Sequence, residues 1–463
     1  MITKNIALNI KTCLSGLSFS FDELILETKN LFETEGIPGF LKVIISFFID
    51  NMVIEHWKAS DEASCCPSPH LNRSGKRSKA IVCSLGNIDF EWTLLKCRNC
   101  NQTHNPLKEF FGLEKNQKHS NEFEKICMEA VASESFRRST MTIKKHNEKV
   151  DFNHRSLHRW FMRTESDAIT AKYSDLEVVL GDGTGYKKFV SQTKLERENK
   201  IKEKTGQKPI ERTKRGEVKI LMGIKEDKTI VPLGAWTSES WKTVGKMIHK
   251  LNNPNKKVAP KKLANVLVAD GEIALNNGLG ILAHRRQRCL WHIPHELKPL
   301  MKYQEKAAEE DIKYSLNQVH SIFQIDIPDK DFGDVSIEEK LEMNEKIKAC
   351  ELQMKLLSEY LEHKGYDKAS TYVSNARSSL FTYLRYWMKT GVVTPKVTSK
   401  LERLMREIGR RIKKSAFNWS EKGCAKMTRI ILKIITDPKS WESFWDQKFK
   451  LSGNIKLSFE GIS

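Results

Sequence analysis

The sequence predicts an α/β protein of several domains, and three observations carry that expectation. At 463 residues the chain exceeds the size at which one hydrophobic core keeps growing, so several domains, or one domain with a large insertion, are expected. Between Leu176 and Asp270 short apolar runs bounded by turn residues alternate with a helical pattern, which is how a sheet with crossover helices is written. From His295 to Lys396 the pattern is almost wholly helical, with Ile347, Cys350, Met354, Leu357 and Leu361 stepping by three and four.

Charge narrows the partners. The chain has 78 Lys and Arg against 58 Asp and Glu, a formal charge of +20, and such a surplus favours a polyanion, nucleic acid first. An anionic membrane is the other polyanion, but the one strongly apolar run, Ile37 to Ile49, is too short to span a bilayer and contains Lys42. It reads as a buried helix. Met1 to Leu17 lacks the apolar core and cleavage site of a secretory signal, so the expected compartment is the cytoplasm, on the nucleoid when DNA is bound, with no membrane partner. The ten cysteines are then expected to be reduced. Cys13, Cys83, Cys127, Cys350 and Cys424 stand alone and read as small core hydrophobes.

Residues 1–60 carry apolar residues at near-helical spacing, among them Phe21, Leu24, Ile25, Leu31 and Phe32, and read as a helical lead-in. Residues 61–106 change character. Cys65, Cys66, Pro67 and His70 precede a basic stretch from Arg73 to Lys79, two strand-like runs follow, and Cys97-x-x-Cys100 closes the unit. That is the layout of a small zinc ribbon, because zinc takes four soft or borderline ligands in a tetrahedron and a Cys-x-x-Cys knuckle supplies two. The expected set around one structural Zn²⁺ is Cys66, His70, Cys97 and Cys100, with Cys65 the alternative to His70. Cysteines that merely pack are the plainer reading.

Residues 107–170 read as a helical, helix-turn-helix-like DNA-binding segment. Phe123, Ile126, Cys127 and Ala130 share one face, Ser135 opens a second helix, and Asp151 or Asn153 caps a third. In the third helix Leu157, Trp160 and Phe161 can pack inward while His154, Arg155, His158 and Arg159 point outward. That gives the apolar back and basic front that a groove-reading helix needs. A solvated charged face is the alternative.

Leu176 to Leu180 is an apolar run ending in Gly181-Asp182-Gly183; Val218 to Ile224 and Thr229 to Trp236 read as two further strands joined by a turn at Glu226-Asp227. A helix from Glu239 to Lys250 then leads to Val266 through Ala269 and Asp270. Three strands, a helix and a fourth strand make the beginning of a ribonuclease H-like fold, assigned to residues 171–292. An Asp ending the first strand lies beside an Asp ending the fourth if those strands are neighbours. With a third acid they can hold two Mg²⁺ or Mn²⁺ ions about 4 Å apart, the arrangement that phosphodiester chemistry uses. The Gly-Asp-Gly-Thr-Gly stretch lacks the Gly-Lys-Ser/Thr of a phosphate loop. Lys187 to Arg215, with eleven Lys or Arg against four Glu, reads as a loop that is mobile in the free protein and clamps DNA, or as one that only solubilises.

The order Asp182, Asp270, Cys289-Leu290-Trp291-His292 and, after a long helical stretch, Glu402 in Thr398-Ser399-x-x-Glu402 resembles bacterial insertion-sequence transposases of the Asp-Asp-Glu type, related to the Mutator-like superfamily. The resemblance covers residues 61–435. It implies a ribonuclease H-like catalytic core with a large all-helical insertion, residues 293–397, that helps hold transposon-end DNA, plain structural bracing being the alternative, and a C-terminal segment, residues 398–463, with the catalytic Glu. Spacing alone cannot select Glu402, but helix geometry helps: Leu401, Leu404, Met405, Ile408 and Ile412 form one stripe with Glu402 at its flank, and Glu407 points away. Arg403, Arg406, Arg410, Lys413 and Lys414 fill the rest of the helix and suit phosphates. Cys289 and His292 are expected to shape the active-site floor or to contact DNA; zinc binding by Cys289, His292 and His295 is the rival. The implied activity is metal-dependent cleavage at transposon ends, followed by attack of the freed 3′ hydroxyl on target DNA. The implied partners are double-stranded DNA and further copies of the chain. The alternatives are a decayed or domesticated copy that binds DNA without chemistry and a metal nuclease of the same fold.

Overall fold

The computed structural model describes residues 32, 36–59, 64–111, 113–114, 116–146, 150–164, 176–189, 191–209, 213–254, 261–413 and 418–449. It is α/β, with many helices, and divides into two compact units, Met1–Phe161 and Met162–Ser463. The readings for residues 1–31 lie outside the described residues.

In the first unit, helix α1 runs from Ile37 to Lys58, with a π turn at Ile44–Ile49 inside it. The apolar run ends at Ile49 in the sequence, but Asp50 does not stop the helix, which continues to 22 residues and is long and apolar enough by length and composition to cross a membrane. Its apolar side is seated on a hairpin. Ile45 and Val53 pack with Ile88, Phe90 and Trp92, while Ile54 and Trp57 pack with Leu95. Asp50 accepts from the Thr93 N–H at 3.2 Å and from its hydroxyl at 2.6 Å. The hairpin is β1, Leu71–Cys83, against β2, Gly86–Cys97, closed at Cys83↔Gly86, with β3, Thr103–His104, added to β2. Alternate residues of β2 are buried and exposed along most of its length, as expected of a strand covered on one face.

After a short helix at Pro106–Phe110 come three longer ones: α2, Asn121–Ser133, α3, Phe136–His146, and α4, His154–Arg163. Each starts at a side chain that satisfies a free backbone donor. Ser120 Oγ accepts from the Phe123 N–H at 3.1 Å, Ser135 Oγ from Arg138 at 3.2 Å and Asn153 Oδ1 from Ser156 at 2.9 Å. Phe123, Cys127, Leu157, Trp160 and Phe161 are buried, whereas Ile126 is exposed.

The second unit is built on a mixed five-stranded sheet. Strand β4, Leu176–Phe189, is followed by helix α5, Gln192–Lys204, then β5, Thr213–Lys225, and β6, Ile230–Trp236. Helix α6, Trp241–Asn252, β7, Ala264–Ala269, helix α7, Ile273–Leu279, and β8, Ala283–Arg288, complete it. β5 is antiparallel to β4 and β6, while β7 is parallel to β4 and to β8. Helices α6 and α7 cover one face, packing Trp241, Val244, Ile248, Leu275 and Leu279 against Val179, Leu221, Leu233 and Leu267. They cross closely because Gly245 has no side chain: a Cβ there would lie 2.1 Å from the Gly278 carbonyl oxygen.

Three features of this unit differ from the sequence reading. Strand β4 does not end at Asp182 but runs on to Phe189, because the residues after the acid keep their ladder with β5. The basic stretch Lys187–Arg215 is not a loop throughout, since its middle is α5. Glu, Lys, Arg and Gln are good helix formers, and Glu196–Lys200 and Glu198–Lys202 are spaced to attract each other along a helix. The fifth strand, β8, reads Ala-His-Arg-Arg-Gln-Arg and has no apolar run to announce it. It forms because its parallel neighbour β7 offers a full ladder of backbone groups.

Beyond β8 the chain is helical: α8, His292–Pro299, α9, Glu309–Ile322, α10, Ile337–His363, α11, Asp367–Arg377, and α12, Thr382–Thr390. These helices share a core of their own, in which Ile347, Met354, Leu357 and Leu361 of α10 meet Ile312, Val319, Val373 and Leu384. The chain then returns to the sheet as α13, Ser399–Ile412, which packs on β4, and α14, Glu421–Thr436, which packs on β5 and β6. Helix α15, Pro438–Phe449, follows.

Candidate active site and metal centre

Strands β4 and β7 run parallel and in register through Leu180↔Val268 and Gly181↔Ala269. The next residue of each is an aspartate, Asp182 and Asp270, so the two acids directly follow paired positions of neighbouring strands. Both strands are buried on two faces, which is why each reads as a nearly continuous apolar run up to its acid. Asp182 remains paired in the sheet, opposite Ile220. Asp270 leaves it: its Oδ1 accepts from the Glu272 N–H at 3.0 Å, and its carbonyl from Asn276 Nδ2 at 3.1 Å. Glu402 arrives from the first turn of α13.

The three acids share one electrostatic environment. The Asp182 carboxyl is pushed up to about 6, first by burial and then by repulsion from Asp270 and Glu402, against the pull of the Gly183 N–H, 2.7 Å from Oδ1, and of His292. His292 is raised to about 8: burial works against its charge, but Cys289, Asp182 and Asp270 outweigh it. Burial raises the Cys289 thiol, and its hydrogen bonds with His292 and Thr398 overcome that, so it is held below the usual thiol range. The tightest group here is Cys289, His292 and Glu402, with one ligand atom from each within 4.8 Å of the others. Asp182 and Asp270 are outside that group and act on His292 electrostatically. His295 is not part of it, because its Nδ1 lies 2.9 Å from the Trp291 carbonyl and its ring stacks on Trp291 with centroids 3.7 Å apart. Glu402 stands where the Cys-His-His zinc reading placed His295.

The basic face of α13 is also visible. Arg403, Arg406, Arg410 and Lys413 are exposed, and Lys414 lies outside the described residues. Glu407 is taken up by Arg410, whose Nη1 lies 2.8 Å from both carboxylate oxygens.

A second cluster lies in the first unit. Cys65, Cys66, Cys97 and Cys100 bring their sulfurs within 4.8 Å of one another, a group that could hold a metal such as zinc. Cys66 and Cys97 are 3.8 Å apart, Cys65 and Cys100 3.4 Å. The knuckle turns because Asn101 takes φ of +59° and returns its N–H to the Cys97 carbonyl at 3.0 Å. The Cys100 backbone N–H, ahead of those of His70 and Asn99, holds Cys97 down at about 6, while burial and the neighbouring thiols push Cys65 up to about 12. This corrects the expected ligand set: His70 is exposed, with Nδ1 3.4 Å from Asn72 Nδ2, and Cys65 fills the fourth place.

No family profile and no curated protein matches the chain.

On α4, Arg155, His158 and Arg159 are exposed as expected. His158 lies edge-on to Phe136 with centroids 5.1 Å apart, and although its surface is exposed the ring is desolvated enough on that side to lower its pKa, so it is the weakest member of the basic front. One residue packed against the turn that follows Asp270 was missed in the sequence. Arg288, buried at the end of β8, donates to the Tyr372 hydroxyl at 2.7 Å, and its guanidinium lies against Gly271, where a Cβ would be 1.3 Å from Nη1. In the sequence it is one of three arginines in six residues, and nothing in its spacing distinguishes it.

Proposed function

We propose that the chain is a DNA transposase of the Asp-Asp-Glu type, in which Asp182, Asp270 and Glu402 hold divalent cations, Mg²⁺ or Mn²⁺, two per site. The observation that carries the reading is that Asp182 and Asp270 each directly follow one of the paired residues Gly181 and Ala269 of neighbouring parallel strands, with a glutamate near enough to repel one of them. The strand order β6-β5-β4-β7-β8, three antiparallel strands and then two parallel ones, supports a ribonuclease H-like core. The interruption between Asp270 and Glu402 by helices with their own core supports the helical insertion of the resembling transposases.

The donor set fits such ions. Carboxylates are hard oxygen ligands suited to Mg²⁺ and Mn²⁺, and a divalent cation offsets the burial and the added repulsion that together hold Asp182 at about 6. When bound, the ions supply activation of the attacking oxygen and stabilisation of the leaving one. The chain supplies the rest. His292, positively charged near neutrality, offsets part of the carboxylate charge, and the exposed cations of α13 and α4 meet DNA phosphates. Double-stranded DNA is the partner, several copies act together at the ends, and the protein works in the cytoplasm. Cys65, Cys66, Cys97 and Cys100 hold one structural Zn²⁺, a soft-ligand set separate in chemistry from the acids.

The test uses a supercoiled plasmid carrying the DNA that flanks the reading frame, with Mg²⁺ or Mn²⁺. Wild type is expected to cut at the flanks and join the 3′ ends to a target, and Asp182→Asn, Asp270→Asn and Glu402→Gln are expected to fall to background while still shifting the DNA. Cutting without joining would make the chain a nuclease. Full activity in either aspartate variant would overturn the reading.

A further inference from the structure

The Cys289-to-His292 element has an unassigned task, and hydrogen bonds define it. Cys289 follows β8, and its N–H donates to the Ala269 carbonyl at 2.8 Å, one residue before Asp270. Its buried sulfur faces the other way, toward Thr398, whose backbone N–H lies 3.3 Å from Sγ and whose Oγ1 lies 3.2 Å from it. The Thr398 hydroxyl then donates to Glu402 Oε1 at 3.2 Å, and the Glu402 N–H closes the first turn of α13 on the Thr398 carbonyl at 2.9 Å. Next to this pair, the Leu290 N–H donates to the Lys396 carbonyl at 3.1 Å.

Cys289 and Thr398 are 109 residues apart in sequence, and the helices between them form a body with its own core. Such a body on two tethers does not fix the position of Glu402 to the tolerance a metal site needs, because a long closed loop leaves its ends loosely determined. We infer that Cys289 and Thr398 form a latch that ties the Asp270 strand end to the Glu402 carboxylate, as positioning residues. The chain of contacts runs from Ala269 to Cys289, Thr398 and Glu402 without a gap. Both latch side chains are fully buried, so their partners are each other, His292 and Glu402 rather than DNA. The inference rests on the reading of Glu402 as a metal-holding acid.

The test is Mn²⁺ binding to the full chain, followed by electron paramagnetic resonance with zinc retained, a readout that needs no turnover. Thr398→Val keeps shape and backbone N–H and removes the hydroxyl. It is expected to weaken Mn²⁺ binding about tenfold, as loss of an outer partner of a ligand does. Thr398→Ser is expected to bind as wild type, and Cys289→Ala to weaken binding in the same direction. In a Glu402→Gln background, Thr398→Val is expected to add nothing. Should Thr398→Val fail to fold, Cys289→Ala and the same background decide. Wild-type affinity in Thr398→Val, or equal losses with and without Glu402, would overturn the latch while leaving the metal site standing. Indistinguishable Mn²⁺ binding by wild type and Asp182→Asn would overturn the metal site and the latch with it.

Discussion

Asp182→Asn isolates the central electrostatic argument without requiring any DNA substrate. The Asp182 carboxyl stands at about 6 against 3.8 in open solvent, a difference worth on the order of 3 kcal/mol. Burial is the first cause, and Asp270 and Glu402 add to it. A carboxyl whose pKa is higher in the folded state binds more protons there. Stability therefore falls as pH rises from about 4 to about 6, and the cost is present in full above that. Asparagine keeps an oxygen for the Gly183 N–H and carries no charge. In Mg²⁺-free buffer with zinc retained, the variant is expected to be more stable than wild type at pH 7.5 by up to about 3 kcal/mol, roughly 5 to 10 °C in Tm, and nearly equal to it at pH 4. Added Mn²⁺ is expected to stabilise wild type more than the variant, since ions that bind only the folded state raise its stability. Thermal denaturation at the two pH values, with and without Mn²⁺, measures all of this. A variant less stable than wild type at pH 7.5, or a difference that is the same at both pH values, would refute the crowded-carboxylate argument.

Three further outcomes follow from named contacts. Cys65→Ser is expected to lower bound zinc below one per chain by metal analysis, whereas His70→Ala retains it; the reverse result would restore the histidine as ligand. Arg155→Gln and Arg159→Gln are each expected to reduce the slope of log affinity against log salt by about 1, and an unchanged slope in both would remove α4 from the phosphate path. Glu407→Gln is expected to leave plasmid cleavage near wild type while Glu402→Gln abolishes it, because Glu407 is engaged by Arg410 at 2.8 Å; loss in Glu407→Gln with activity in Glu402→Gln would move the third acid.

What the sequence determined by itself is local. The runs ending at Asp182 and Asp270, the Cys97-x-x-Cys100 knuckle, the serine and asparagine caps before helices α2, α3 and α4, and the stripe that puts Glu402 at the flank of α13 all depend on residues a few positions apart, where period and side-chain chemistry act directly. The α/β class was legible for the same reason. Tertiary structure decided whatever depends on distant partners. Whether Cys65 or His70 joins the cysteines depends on how the chain before β1 folds back onto the knuckle. β8 exists because β7 presents its edge, and its six residues carry no apolar run. Arg288 lies against Gly271, the residue after Asp270, only because β8 ends there and the glycine leaves room. The contact between Cys289 and Thr398 spans 109 residues with no periodic trace, since the free energy that brings such residues together is that of packing the whole helical body, and no short window of sequence contains it.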